Sequence, residues 1–170
     1  MQRRTLLKLG VFGGATLALV GGGAALFYDP AWRDGHLTET GRRVLGAVAR
    51  AVLDGSLPAE PGPQQAAIAS HLDRMDASLR GMAPATQREV GDLLALLALP
   101  PGRLALAGLA SDWARVEVAQ IQAALQAMRR SHLALRQQAY HALRDLTHAA
   151  YFADSATWAQ LGYPGPTKIE

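Results

Sequence analysis

Five histidines, at positions 36, 71, 132, 141 and 148, are the side chains of this sequence best suited to hold a metal or a haem iron. His141 and His148 stand seven apart and share a face of any helix that carries both. The i, i+4 pair of a His-x-x-x-His metal site is absent. A surface or interface role is therefore expected for them. A quinone or haem site built on His141, His148 and nearby tyrosines is the chemical alternative. The carboxylates of Asp73, Asp76 and Glu117 lie among basic neighbours on amphipathic stretches, where solvated ion pairs are commoner than catalytic couples. No serine stands in a Gly-x-Ser-x-Gly elbow, no strand is expected, and so no Gly-x-Gly-x-x-Gly turn follows one. With no cysteine there is no disulfide, no thiolate nucleophile and no covalent c-type haem attachment. Neither catalytic, cofactor-binding nor metal-binding residues are expected in this chain.

The densest helical pattern lies in residues 111–166. Val118, Ile121, Leu125, Met128, His132, Leu135, Ala139, Ala142, Leu146 and Ala149 advance by steps of three and four, which makes one apolar stripe. His132, on that stripe, is expected in the core or facing a partner. One unbroken helix would be too long for a domain of this size, so a break is expected near Ser131, after Arg129 and Arg130. Asp154 and Ser155 are N-cap residue types, residues 156–161 allow a turn or two of helix, and Gly162 can stop it. Pro164 and Pro166 then keep the tail non-helical. An aromatic followed by a stiff Pro/Gly segment loses little entropy on being fixed, which suits an interface. Tyr151, Trp158, Gly162, Tyr163, Pro164, Gly165 and Pro166 are the residues expected to meet a partner. The tail could equally fold back on its own bundle, with Trp158 in the core; both hold if Trp158 points inward and Tyr163 outward.

Read as a string, Leu133-Ala134-Leu135, Ala139-Tyr140, residues 142–147, residues 149–154, Trp158 and residues 161–166 resemble the C-terminal half of the small subunit of gluconate 2-dehydrogenase-type enzymes, called subunit 3. The resemblance continues at 94–108 and more faintly at 48–53 with Pro58, and so covers most of the chain after residue 40. Met128 and His132 stand where many members carry Trp and Arg, and Ser155 where Pro is common. The family implies a non-catalytic helical partner of an FAD-dependent dehydrogenase of the glucose-methanol-choline type. It also implies a c-type cytochrome subunit carrying haem c.

The chain opens Met1-Gln2-Arg3-Arg4-Thr5-Leu6-Leu7-Lys8, ahead of an apolar run over 9–27 that contains six glycines. Arg3, Arg4, Leu6, Leu7 and Lys8 before a mildly hydrophobic run are the order expected of a twin-arginine export signal, read by the twin-arginine translocase. Export would place the domain in the periplasm or on the periplasmic face of the inner membrane. An ordinary secretory signal is the plainer alternative. A retained anchor in the inner membrane is another, since nineteen residues are about enough to span a ~30 Å bilayer core and no clean Ala-x-Ala site follows.

Charge separates this leader from the rest. Removing Arg3, Arg4 and Lys8 from 17 basic residues leaves 14, against 14 acidic residues that all lie at or beyond Asp29. The remainder is neutral, so the high isoelectric point does not argue for a nucleic-acid face, and no nucleic-acid partner is expected.

Composition rich in Ala and Leu predicts an all-α fold: one bundle of about five helices behind the N-terminal segment. Residues 1–28 form the signal or anchor, 29–37 a linker, 38–153 the bundle, and 154–170 the short helix and Pro/Gly tail. Thr38 or Thr40 caps a first helix with Val44, Leu45, Val48, Val52 and Leu53 on one face and Gly55 after its end. Residues 56–63 read as a proline-rich loop. A second helix over 64–80 buries Ile68, Leu72, Met75 and Leu79. A third, over 84–99, is apolar nearly all round at its end and so central or partner-facing, and Pro100-Pro101-Gly102 stops it. Residues 103–110 read as a short helix or turn.

Overall fold

The computed structural model describes residues 29–165, and these form a helical bundle entered through a small hairpin. The leader residues, including Arg3, Arg4, Leu6, Leu7 and Lys8, lie outside the described residues, as does Pro166.

Where a linker was expected, strands β1 (Trp32–Arg33) and β2 (His36–Leu37) pair antiparallel, Trp32 opposite Leu37 and Arg33 opposite His36. Asp34 and Gly35 connect them at φ 53° and 80°, the two positive values that a tight hairpin turn of this kind requires. Ala31 and Leu37 are buried, so the hairpin belongs to the domain.

Helix α1 (Glu39–Val52) is the centre of the bundle, and the 84–99 helix, expected to be central or partner-facing, packs against it. Its N-cap is Thr38, whose Oγ1 accepts from Gly41 N–H. Val44, Leu45, Ala47, Val48 and Ala49 are each fully buried in succession, which is possible only because other elements cover α1 on several sides. Helix α2 (Pro61–Arg80) begins three residues earlier than the sequence suggested, because prolines in a first turn lose no intrahelical bond. Ile68, Leu72, Met75 and Leu79 are buried as expected, and His71 and Asp76 join them.

Helix α3 (Pro84–Ala98) packs against α1 and the hairpin. A Cβ on Gly91 would stand 2.8 Å from Trp32 Cβ, so glycine there lets the hairpin close on α3. The Pro100-Pro101-Gly102 stop also starts α4 (Pro100–Ala107), bent 99° from α3. Leu99 is extended, as a residue before proline prefers, and the prolines open the next helix where no donor is needed. Counting α4, six α-helices occur among the described residues. Arg103, 4 % exposed, fastens this corner: its guanidinium donates to the carbonyls of Ala98, Leu109 and Ala110 and lies 3.5 Å from the Asp112 carboxylate.

Asp112 caps a 3-10 turn, Trp113–Arg115, that plants Trp113 in the core. Helix α5 (Val118–Arg129) opens with a capping box between Glu117 and Gln120, which gives Glu117 a structural role. The break falls where expected, and α6 runs over Ala134–Phe152. Ser131 sits in the connection and accepts from Leu133 N–H at 3.2 Å, although the N-cap position is Leu133. The break turns His132 out of the stripe: it is exposed, not in the core. A second 3-10 helix, Ser155–Leu161, starts at Asp154, which accepts from Ala156 N–H at 3.0 Å, and ends at Gly162 with φ 66°.

Candidate functional site

The histidines do not converge. His36 binds Asp76, His71 is in the core, His132 and His141 are exposed, and His148 lines a cleft. Among the described residues no three His, Asp or Glu side chains stand close enough to hold a metal ion. The carboxylates separate likewise: Asp73 meets Arg42 at 2.8 Å on the surface, while Asp76 faces the hairpin.

Asp76 is an anchor. Its Oδ1 accepts Leu37 N–H at 2.6 Å, its Oδ2 lies 2.9 Å from His36 Nδ1, and Arg80 Nη1 is 3.5 Å from the same oxygen. A carboxylate only 7 % exposed is thus matched by donors from the strand and from its own helix.

His71 is 1 % exposed, and neither ring nitrogen has a hydrogen-bond partner. Its ring meets Tyr151 edge-on at 6.4 Å. Burial, with Arg74 beside it adding to the effect, lowers its pKa from 6.5 to about 4, so at neutral pH it is an uncharged core residue.

Tyr151, expected at a partner surface, is instead 8 % exposed and packs with Ala49 and Leu53, its hydroxyl donating to Ser56 O at 3.3 Å. Arg74 clamps the same helix end, donating to Ala150 O at 3.1 Å and reaching the Asp154 carboxylate at 3.2 Å. The outward side of the same end is aromatic. Trp158 is half-buried, not in the core, because its Nε1 donates to Phe152 O at 2.7 Å and its ring lies over the tail. Tyr163 stacks edge-on against it at 5.3 Å and is 48 % exposed; Phe152 is 39 % exposed. Gly162 reverses the chain to bring Tyr163 back, and a Cβ on Gly165 would come within 3.5 Å of the indole. Gly162, Pro164 and Gly165 therefore shape the presentation of Tyr163 on Trp158.

His148 links this patch to a cleft of about 230 Å³, since its ring lies 5.9 Å from Phe152. The floor is Ala51, Val52 and Leu125; the walls are Gln122 and Gln126 from α5 and Tyr140, Arg144 and His148 from α6. Burial and the neighbouring Arg144 lower the His148 pKa, against a smaller upward pull from Asp145. His141 lies against the Tyr140 ring at 5.2 Å, outside this lining. Such a surface offers apolar contact and hydrogen bonds for binding, and it places no proton acceptor against a nucleophile.

Phe152, Arg103, Trp113 and the cleft were not singled out from sequence. Phe152 was within reach, as the large aromatic that follows the last position of the stripe. The chain matches no protein-family model, no curated protein and no solved structure.

Proposed function

We propose that this chain is the non-catalytic small subunit of a membrane-associated, FAD-dependent dehydrogenase of the gluconate 2-dehydrogenase type, assisting assembly and twin-arginine export of the flavin-bearing chain. The observation that carries this reading is the presentation of Tyr163 on Trp158, at the end of the segment in which the resemblance is densest. A half-exposed aromatic held in place by a second one is ready to be covered at little entropic cost. The leader gives the physical rationale for export: flavin is taken up as its chain folds, so the two chains must associate before crossing, by a route that accepts folded protein.

Co-purification of a flavoprotein with the chain tests association, with flavin absorbance as the readout. Changing Arg3 and Arg4 together to lysine tests the carrier role: the flavoprotein should then stay in the cytoplasm. Unchanged export would remove that role. A second reading, favoured by the nineteen-residue apolar run over 9–27, is a membrane-anchored periplasmic interaction module unrelated to any dehydrogenase. Stable isolation of the chain without a flavoprotein, from membranes of cells that make it naturally, would select the second.

A further inference from the structure

Four large apolar side chains are exposed among the described residues, and α6 divides them into two pairs. Phe152 and Tyr163 belong to its C-terminal end, the partner surface proposed above. Leu133, 63 % exposed, stands at its N-terminal end, and Leu104, 57 % exposed, on α4, which Arg136 joins to α6 by donating to Leu106 O at 2.7 Å. The nineteen residues of α6 span about 28 Å at 1.5 Å each, so the two leucines make a second surface, apart from the aromatic one.

This surface has its own charge. Residues 93–111 and 118–144 hold no Asp or Glu, and Asp112, between them, is taken up by Arg43 and Arg103. Arg129, Arg130 and His132, all exposed, lead into Leu133. Arg129 Nε donates to Gln126 Oε1 at 2.9 Å, and neither arginine meets a carboxylate among the described residues. Around Leu104, Pro100, Pro101 and Ala105 are exposed, and the one cation of that segment, Arg103, is buried. The point where the leader joins the domain indicates what this face meets. Asp29, two residues after the apolar run over 9–27, accepts a hydrogen bond from Thr40 Oγ1 in the first turn of α1. One turn on, Arg43 lies 3.9 Å from the Asp112 carboxylate, which lies 3.5 Å from Arg103, the neighbour of Leu104. The leader thus enters at the end of α1 that is fastened to α4.

We infer that this face rests on an anionic lipid surface, with Leu104 and Leu133 entering the boundary between headgroups and acyl chains and Arg129 and Arg130 meeting lipid phosphates. Leucines that project from a turn and a two-turn helix, beside cations with no carboxylate of their own, combine apolar insertion with attraction to anionic headgroups. The inference rests on the membrane placement that both readings above share, with residues 9–27 as the tether.

The chain has no cysteine, so single thiols can be introduced for labelling. Leu104→Cys, Leu133→Cys and, at an exposed position of α2, Gln65→Cys each receive an environment-sensitive fluorophore. The full chain is then reconstituted into phosphatidylcholine vesicles with and without phosphatidylglycerol, a nitroxide lipid serving as quencher. With phosphatidylglycerol present, the labels at 104 and 133 should shift to the blue and be quenched about twofold or more over the label at 65. The excess should fall without phosphatidylglycerol, with added salt, and in the pair Arg129→Glu and Arg130→Glu, whose unchanged melting temperature would show that it folds. Equal quenching at all three positions on vesicle-bound chain would overturn the inference and leave the membrane placement standing. Quenching indifferent to phosphatidylglycerol and to the double variant would overturn it too, since the arginines would then meet no phosphate. So would shielding of both labels by co-purified flavoprotein and not by lipid, because the occupant would be a protein. Chain that leaves the vesicles altogether would remove the membrane placement along with the inference.

Discussion

The Leu37 amide donates to the carboxylate of Asp76 across 39 residues of sequence, at 2.6 Å and almost out of solvent. That bond ties the entry hairpin to the last turns of α2. Replacing Asp76 with alanine would leave the Leu37 N–H buried without an acceptor, at a cost of about 2–3 kcal/mol. Urea unfolding should show a lower midpoint with a nearly unchanged slope, and Asp76→Asn should recover part of the loss. An unchanged midpoint in the alanine variant would mean that the hairpin contributes nothing to global stability.

Gly91→Ala tests the other side of the hairpin. Its new methyl would meet Trp32 Cβ at 2.8 Å, inside any normal carbon contact. The gain in helix propensity, about 1 kcal/mol, should be outweighed, giving net destabilisation and a red-shifted tryptophan emission as Trp32 is displaced. A stabilised variant would show that the two elements do not pack as described.

Trp113 is fully buried, and its Nε1 donates to Leu97 O at 2.8 Å. Trp113→Ala should cost about 3–5 kcal/mol, and Trp113→Phe clearly less, since the phenyl ring retains much of the packing and forfeits the hydrogen bond. Denaturant titration of both variants measures the gap.

His71 predicts an acid sensitivity whose sign is fixed by its lowered pKa. Between 6.5 and about 4 the unfolded chain binds a proton that the folded chain refuses, so stability falls as pH drops through that window. Above 6.5 the contribution is constant. The full loss below about 4 is on the order of 3 kcal/mol, from 1.36 kcal/mol per pKa unit. His71→Leu should flatten the dependence across the window and leave stability at neutral pH equal or higher, because no hydrogen bond is lost. A dependence as steep as that of the wild type would place the sensitive group elsewhere.

Tyr163→Ala should change stability by less than about 0.5 kcal/mol, since the ring is half-exposed and meets Trp158 at its edge. On the proposed function it should still reduce recovery of the flavoprotein. Tyr151→Ala should reverse the pattern and destabilise by about 3 kcal/mol or more, because that ring is interior. Melting curves and co-purification yields, taken together, separate the two tyrosines.

The parts of the fold that could be read beforehand are those written in period 3.6. Ile68, Leu72, Met75 and Leu79 on α2, and Ile121, Leu125 and Met128 on α5, are where a count of three and four puts them, because burial on one helix face is a local property. The hairpin was missed because strands of two residues have no periodicity. Its one local sign is Asp34-Gly35, a pair that suits a tight turn but sits in a stretch otherwise like a linker. The core placement of His132, one of the two expected for it, fails because a stripe counted across residues 130–133 ignores the rotation that a non-helical connection introduces. Tyr151 leaves its expected partner surface for a tertiary reason: it packs on Ala49 and Leu53 from a helix far away in sequence, while Arg74 holds the adjoining Ala150 carbonyl. The cleft was out of reach altogether, since its floor comes from α1 and its walls from α5 and α6.

The 99° corner between α3 and α4 bears on how the molecule would meet a lipid bilayer. Stretched out, residues 84–107 have the length and mean hydropathy of a membrane span; bent, with the Arg103 guanidinium holding three carbonyls, they do not form a single rod. A machine that threads unfolded chains would encounter a decoy stop signal there. One that moves finished domains would never see it.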